Sequence, residues 1–66
     1  MTTTINGVAY DVRVGDKFVS KTNGIRITIT AVERGDVFFT YDDAAYRAGA
    51  MLMIEKLFKH YRLIGR

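Results

Sequence analysis

Glycine-containing turns at short, regular intervals constrain the fold of this 66-residue chain more than any other feature. Asn-Gly or Gly-Asp pairs stand at residues 6–7, 15–16, 23–24 and 35–36. The chain has no proline, so Gly, Asn and Asp must make its turns. Mostly β-branched, aromatic and other apolar residues fill the intervals, and short segments of this kind are typical of an antiparallel meander. We therefore predict that the first forty residues are β-structure.

Apolar and polar side chains alternate within the predicted strands. The run 25–32 places Ile25, Ile27, Ile29 and Ala31 on one face, and the polar side chains on the other. This period of two predicts one buried and one solvated face for the sheet. Six residues of this strand, the next strand and the C-terminal segment are predicted to be largely buried: Ile27, Ile29, Val37, Phe39, Leu57 and Phe58.

The C-terminal third changes its pattern. Residues 44–50 fit either a helix capped by Asp42 or Asp43 or a short strand that pairs with residues 37–41. From residue 51 onward, apolar side chains recur at helical spacing. We predict a helix over residues 52–60 and a closing strand over residues 61–64.

Length and composition exclude several ways of stabilising the fold. Sixty-six residues form one domain with a small core, and the absence of cysteine excludes disulfides and thiolate metal sites. The chain has no apolar run of the roughly 20 residues that a membrane helix needs, and its first residues do not resemble a signal peptide. We expect a cytoplasmic protein without membrane association.

No motif in the sequence indicates catalysis, a metal site or a cofactor. His60 is the only histidine and Ser20 the only serine, and Ser20 lies in a predicted strand. Asp42 and Asp43 are adjacent in a predicted turn, where neighbouring carboxylates usually point apart. We therefore predict no catalytic residue, no metal ligand, no cofactor and no enzymatic activity.

Positive charge is concentrated near the C-terminus. Residues 1–43 contain five Lys and Arg against six Asp and Glu, whereas residues 44–66 contain five against one. Lys56, Lys59 and Arg62 would form a row at i, i+3 and i+6 on a helix, and Arg47 would extend it. We predict that this basic face binds an acidic or amphipathic protein, or else the phosphates of a nucleic acid.

Four consecutive apolar residues, Met51 to Ile54, cannot all face one core from either a strand or a surface helix. At least one of them must be exposed or must meet a partner chain. Self-association through Met51, Leu52 and Met53 would compensate for the small core. We therefore expect a homodimer.

Two stretches resemble known protein families. The runs 14–19, 23–31 and 35–39 resemble small SH3-like barrels, and the opening Val14-Gly15-Asp16 is similar to KOW-type and Tudor-like modules. The ending Phe58-Lys59-His60-Tyr61-Arg62-Leu63-Ile64 is similar to the ends of short accessory proteins of bacteriophages and prophages. The resemblance implies a mainly β fold: one SH3-like five-stranded barrel over residues 1–66 with a short C-terminal helix. The alternative is an α+β meander followed by one longer helix.

The phage resemblance also implies a function. It indicates a non-enzymatic accessory protein that binds and modulates or inhibits a host protein in the host cytoplasm. The alternative is a sequence-independent nucleic-acid-binding protein that uses the basic C-terminal face.

Overall fold

The computed structural model describes residues 2–42 and 49–65, and this part of the chain is mainly β with one short helix, as predicted. Its elements in chain order are β1 (Thr2–Ile5), β2 (Val8–Asp11), β3 (Lys17–Ser20), β4 (Arg26–Glu33), β5 (Asp36–Tyr41), β6 (Ala50–Met53), α1 (Ile54–His60) and β7 (Tyr61–Gly65). Each of the eight elements is short, in keeping with the close spacing of the turns.

The strands form two antiparallel sheets. β1 and β2 pair as a separate hairpin, and the other five strands are hydrogen-bonded in the order β6-β5-β4-β3-β7. The last strand thus returns beside the first strand of the five, and the helix precedes it. Five strands in one sheet, a two-stranded hairpin and one short helix agree with the predicted mainly β fold.

The C-terminal helix is shorter than predicted. Residues 50–53 pair with β5, so the helix begins at Ile54 rather than at residue 52. The predicted closing strand is present and extends to Gly65. Of the ambiguous stretch 44–50, Ala50 lies in a strand, whereas the suggested cap Asp43 and residues 44–48 lie outside the described residues.

Two hairpins are closed by two-residue turns with positive φ at both positions. Asn6 and Gly7 have φ of 51° and 79°, and Arg34 and Gly35 have φ of 44° and 86°. Consecutive positive φ values characterise the turn that matches the twist of paired strands. The second turn is centred on Arg34-Gly35 rather than Gly35-Asp36, because Asp36 already pairs with Glu33.

A β-bulge interrupts the alternation in β4. Ile29 pairs with Phe39 and Ala31 pairs with Phe38, so Thr30 is an extra residue. Beyond the bulge, Val32 pairs with Val37 and packs against the core. The prediction that Ala31 continues the buried face was therefore wrong, because strict alternation does not hold across an inserted residue.

The core lies between the sheet, the helix and the loop that follows the hairpin. Its buried apolar residues are Val12, Phe18, Ile27, Ile29, Val37, Phe39, Ile54 and Leu57. Five of the six predicted core residues are among them. Phe58 is only partly buried: its ring lies edge-on to Phe18, with centroids 5.6 Å apart, and 5.2 Å from that of Tyr10 on the hairpin.

A buried carboxylate orders the loop between the hairpin and β3. Asp16 is 2% exposed and its Oδ2 accepts a hydrogen bond from the backbone N–H of Arg13 at 2.9 Å. The N–H of Asp16 donates to the Arg13 carbonyl at 3.0 Å, and the N–H of Gly15 donates to the Ile29 carbonyl at 2.8 Å. Gly15 supports this geometry with a φ of 94°. The loop is thereby joined to β4.

Phe38 and Phe39 provide a matched test of which face is buried. Phe39 is 4% exposed and Phe38 is half-buried on the opposite face of β5. Phe39→Ala should lower the free energy of unfolding by about 3–5 kcal/mol, because it leaves a cavity in the core. Phe38→Ala should cost clearly less. Urea denaturation followed by circular dichroism measures both, and equal losses would contradict the assignment of faces.

Candidate partner-binding surface

The residues considered for chemistry have structural roles or are exposed. Ser20 Oγ accepts hydrogen bonds from the N–H groups of Thr22 and Asn23, at 3.2 and 3.4 Å, and so supports the β3–β4 turn. His60 is the exposed last residue of α1. Among residues 2–42 and 49–65, no three His, Cys, Asp or Glu side chains are grouped to hold a metal ion, and no helix is long and apolar enough to cross a membrane.

The outer face of the five-stranded sheet carries residues that pair across neighbouring strands. Val19 of β3 is paired with Arg62 of β7 on one side and with Arg26 of β4 on the other. Directly opposite residues on antiparallel strands project to the same face. The two arginines therefore flank Val19, and the three side chains form a cross-strand row.

The next row is a hydrogen-bonded network. Lys17 Nζ donates to Thr28 Oγ1 at 2.9 Å and lies 3.3 Å from Asp42 Oδ2, while the Thr28 hydroxyl donates to Asp42 Oδ1 at 2.5 Å. The hydrogen bond from Thr28 lowers the pKa of Asp42 below 3.8, with further lowering by Lys17. The carboxylate is thus held ionised and offsets the charge of Lys17.

The predicted basic face is divided between two elements. Lys56 and Lys59 are exposed on α1, whereas Arg62 is exposed on β7, because the helix ends at His60. The prediction of a single helical row of three cations was therefore wrong. No acidic side chain of the described residues forms an ion pair with any of these three. Arg47 lies outside the described residues.

The fold brings two further cations to this region that the sequence pattern did not assign to it. Arg26 stands beside Val19, opposite Arg62, on the same face. Lys21 donates from its backbone N–H to the His60 carbonyl at 2.9 Å, which places it at the end of α1. Alternation in β4 predicts that Arg26 is solvated, but its position near Arg62 depends on the pairing of β3 with β7.

The run of four apolar residues separates into buried and exposed members. Met51 and Met53 are 59% and 52% exposed, whereas Ile54 is fully buried and Leu52 packs against the core. The prediction that at least one of the four is exposed is confirmed. Leu52 already packs against the core, so only Met51 and Met53 of the three residues predicted for self-association are exposed.

An open groove lies beside Met51, which is paired across the strands with Phe38. It has a volume of about 390 Å³ and is lined by Thr30, Phe38, Phe39, Thr40, Gly49, Ala50 and Met51. A Cβ atom at Gly49 would lie 2.8 Å from the Phe39 carbonyl oxygen. Glycine at this position therefore allows the chain to approach β5 closely.

The hydrogen-bonded network around Asp42 predicts that part of the free energy of unfolding depends on pH. Because its pKa is lowered on folding, Asp42 stabilises the folded state above pH 3.8, and this contribution is lost as the pH falls through the lower folded value. Urea midpoints of the wild type and Asp42→Asn, compared from pH 6 downward, should differ most at pH 6 and converge in acid. A difference that stays constant over the whole range would contradict the network's role.

The exposed methionines predict a homodimer, because association would bury apolar side chains that a small core leaves in solvent. Light scattering at high micromolar concentration should give twice the mass of one chain. Met51→Thr/Met53→Thr should restore the monomer, and Val14→Thr should not, although Val14 is 66% exposed. A monomeric wild type at every concentration would contradict self-association.

Comparison of the chain with known proteins returned no match from protein-family models, curated proteins or solved structures. The resemblance to SH3-like barrel proteins and phage accessory proteins therefore stays a prediction from the sequence.

Proposed function

We propose that this protein is a non-enzymatic binding module that binds an acidic or amphipathic surface of a partner protein and modulates or inhibits that partner. The observation that carries the proposal is the exposure of Met51 and Met53 immediately before Lys56 and Lys59 of α1, which form no ion pair with an acidic side chain in the described part of the chain. The proposed docking surface consists of Met51, Met53, Lys56 and Lys59.

Apolar and cationic residues are close in the chain because β6 continues directly into α1. Met53 is the last residue of the strand and Lys56 follows it by three residues. A partner that covers the methionines with apolar side chains would place acidic groups near the lysines. Such surfaces combine a desolvated apolar centre with a charged rim that speeds association. Methionine side chains also adapt to the shape of the opposing surface.

The edge of the sheet adds a second means of recognition. β6 is hydrogen-bonded to β5 on one side and is the last strand in its sheet among the described residues. Its four residues, Ala-Met-Leu-Met, carry neither charge nor proline, which are the usual means of protecting an edge. An extended segment of the partner can pair with such an edge.

The accessory role is supported by the similarity of residues 58–64 to the ends of phage and prophage accessory proteins. On this basis the partner is a host protein and the site of action is the cytoplasm of the host cell. Self-association through Met51 and Met53 would compete with the partner for the same side chains.

Affinity capture from a nuclease-treated bacterial lysate, with identification of retained proteins by mass spectrometry, tests this proposal. A specific protein should be retained, and its affinity should fall about tenfold, or about 1.4 kcal/mol, in Met53→Ser. Lys56→Glu/Lys59→Glu should mainly slow association and reduce its dependence on salt. Val14→Ser is the matched control, since it removes an apolar side chain that is even more exposed than Met53, 66% against 52%, and lies far from β6 in the sequence.

Two outcomes would contradict the proposal. Retention of the same protein at unchanged affinity by both surface variants would show that the partner binds elsewhere. Loss of all retained protein on nuclease treatment would instead favour the alternative from the sequence, in which the basic C-terminal face binds nucleic acid without sequence preference.

A further inference from the structure

The side chains on the outer face of the five-stranded sheet differ in character from one end of the face to the other. At one end, Arg62 and Arg26 flank Val19 in a cross-strand row. The middle of the face has the hydroxyls of Thr28 and Thr40, which pair across β4 and β5. Cationic, hydroxyl and apolar groups therefore follow one another along the strands.

Near the opposite end of this face lie an aromatic and an apolar side chain, and Asp36 follows two residues farther along β5. Phe38 pairs with Met51 across β5 and β6, and both side chains border the open groove of about 390 Å³. Phe38 is two residues beyond Thr40 on the same face of β5, and Thr28 is two residues beyond Arg26 on β4. At about 3.3 Å per residue, the arginine row and Phe38 are separated by about 13 Å along the strands.

We propose that this outer face binds single-stranded nucleic acid, with the phosphates on Arg26 and Arg62 and a base on Phe38. The proposal does not depend on the protein partner, although the two surfaces meet at Met51, which borders the groove. In this proposal the nucleic acid contacts the sheet, whereas the sequence pattern placed the contact on the helix.

The two arginines are available to bind an anion. Both are exposed, and neither forms an ion pair with an acidic side chain of the described residues. The charge of Arg26 contributes to the lowered pKa of Asp42, so Arg62 is the less compensated of the two. Guanidinium groups bind phosphate oxygens through two parallel hydrogen bonds, so Arg is better suited to this role than Lys. Lys17 adds little net charge to the face, because Asp42 lies 3.3 Å from its ammonium nitrogen.

A single strand fits this arrangement better than a duplex. Base stacking on an aromatic ring requires an unstacked base, and Phe38 is partly exposed on the sheet face. The phosphates and bases of one strand can contact different rows of the face. Stacking and phosphate contacts do not read base edges, so we expect binding without sequence preference.

Fluorescence anisotropy with labelled oligo(dT) of about 12 nucleotides tests the proposal. Binding should be weak, with a dissociation constant of about 10⁻⁴–10⁻⁶ M. Two phosphate contacts give a slope of about −1.4 for log K against log salt, or about a sevenfold loss between about 50 and 200 mM salt. A duplex of the same length should bind more weakly than the single strand.

Variants separate this face from the basic helix. Arg26→Gln/Arg62→Gln should reduce the salt slope to near zero, and Phe38→Leu should weaken binding about tenfold without changing the slope. Lys56→Gln/Lys59→Gln is the matched control, because it removes two exposed cations from α1 and should leave binding unchanged. Circular dichroism of each variant distinguishes loss of a contact from loss of the fold.

The proposal is overturned by any of three results: no binding of the single strand at low salt, tighter binding of the duplex, or loss of binding in the lysine variant with retention in the arginine variant. None of these results affects retention of a partner protein after nuclease treatment, so the two proposals fail independently.

Discussion

Ile54 and Leu57 of α1 cover the inner face of the five-stranded sheet, and both side chains are fully buried. β6 and β7 lie at opposite edges of that sheet, and the helix that connects them packs against both and against β5. A helix of seven residues is not stable alone in water. It forms because its two apolar side chains complete the core, and the N–H of Ile54 donates to the Gly35 carbonyl at 2.8 Å where the helix begins.

The packing of α1 on the inner face of the sheet decides which surfaces remain exposed for binding. The inner face is used by the core, and the hairpin contributes Ile5 and Tyr10 to the same packing. The outer face has no covering layer among the described elements, and it exposes arginines at one end and Met51 at the other. We therefore propose two regions for recognition: the outer face, and the junction of β6 with α1.

Much of the fold was predictable because local rules decide it. Two-residue turns follow from the Asn6-Gly7 pair and from Gly35, since glycine accepts positive φ without steric cost. Alternation placed Ile27 and Phe39 inside correctly. The predictions fail where a longer-range contact intervenes: the bulge at Thr30 shifts the buried face, and pairing with β5 converts the predicted start of the helix into strand.

Local patterns in the chain are enough to predict the approximate positions of the turns, the strand faces up to the bulge, an exposed apolar residue within 51–54 and the excess of positive charge near the C-terminus. Strand pairing and core packing are needed to show that Met51 and Met53 are the exposed residues, and that Arg26 and Arg62 flank Val19. The reason is that charge and hydropathy are properties of single residues and their neighbours. Arg26 and Arg62 are 36 positions apart in the chain. They come together because β7 pairs with β3, and this pairing depends on the packing of the core.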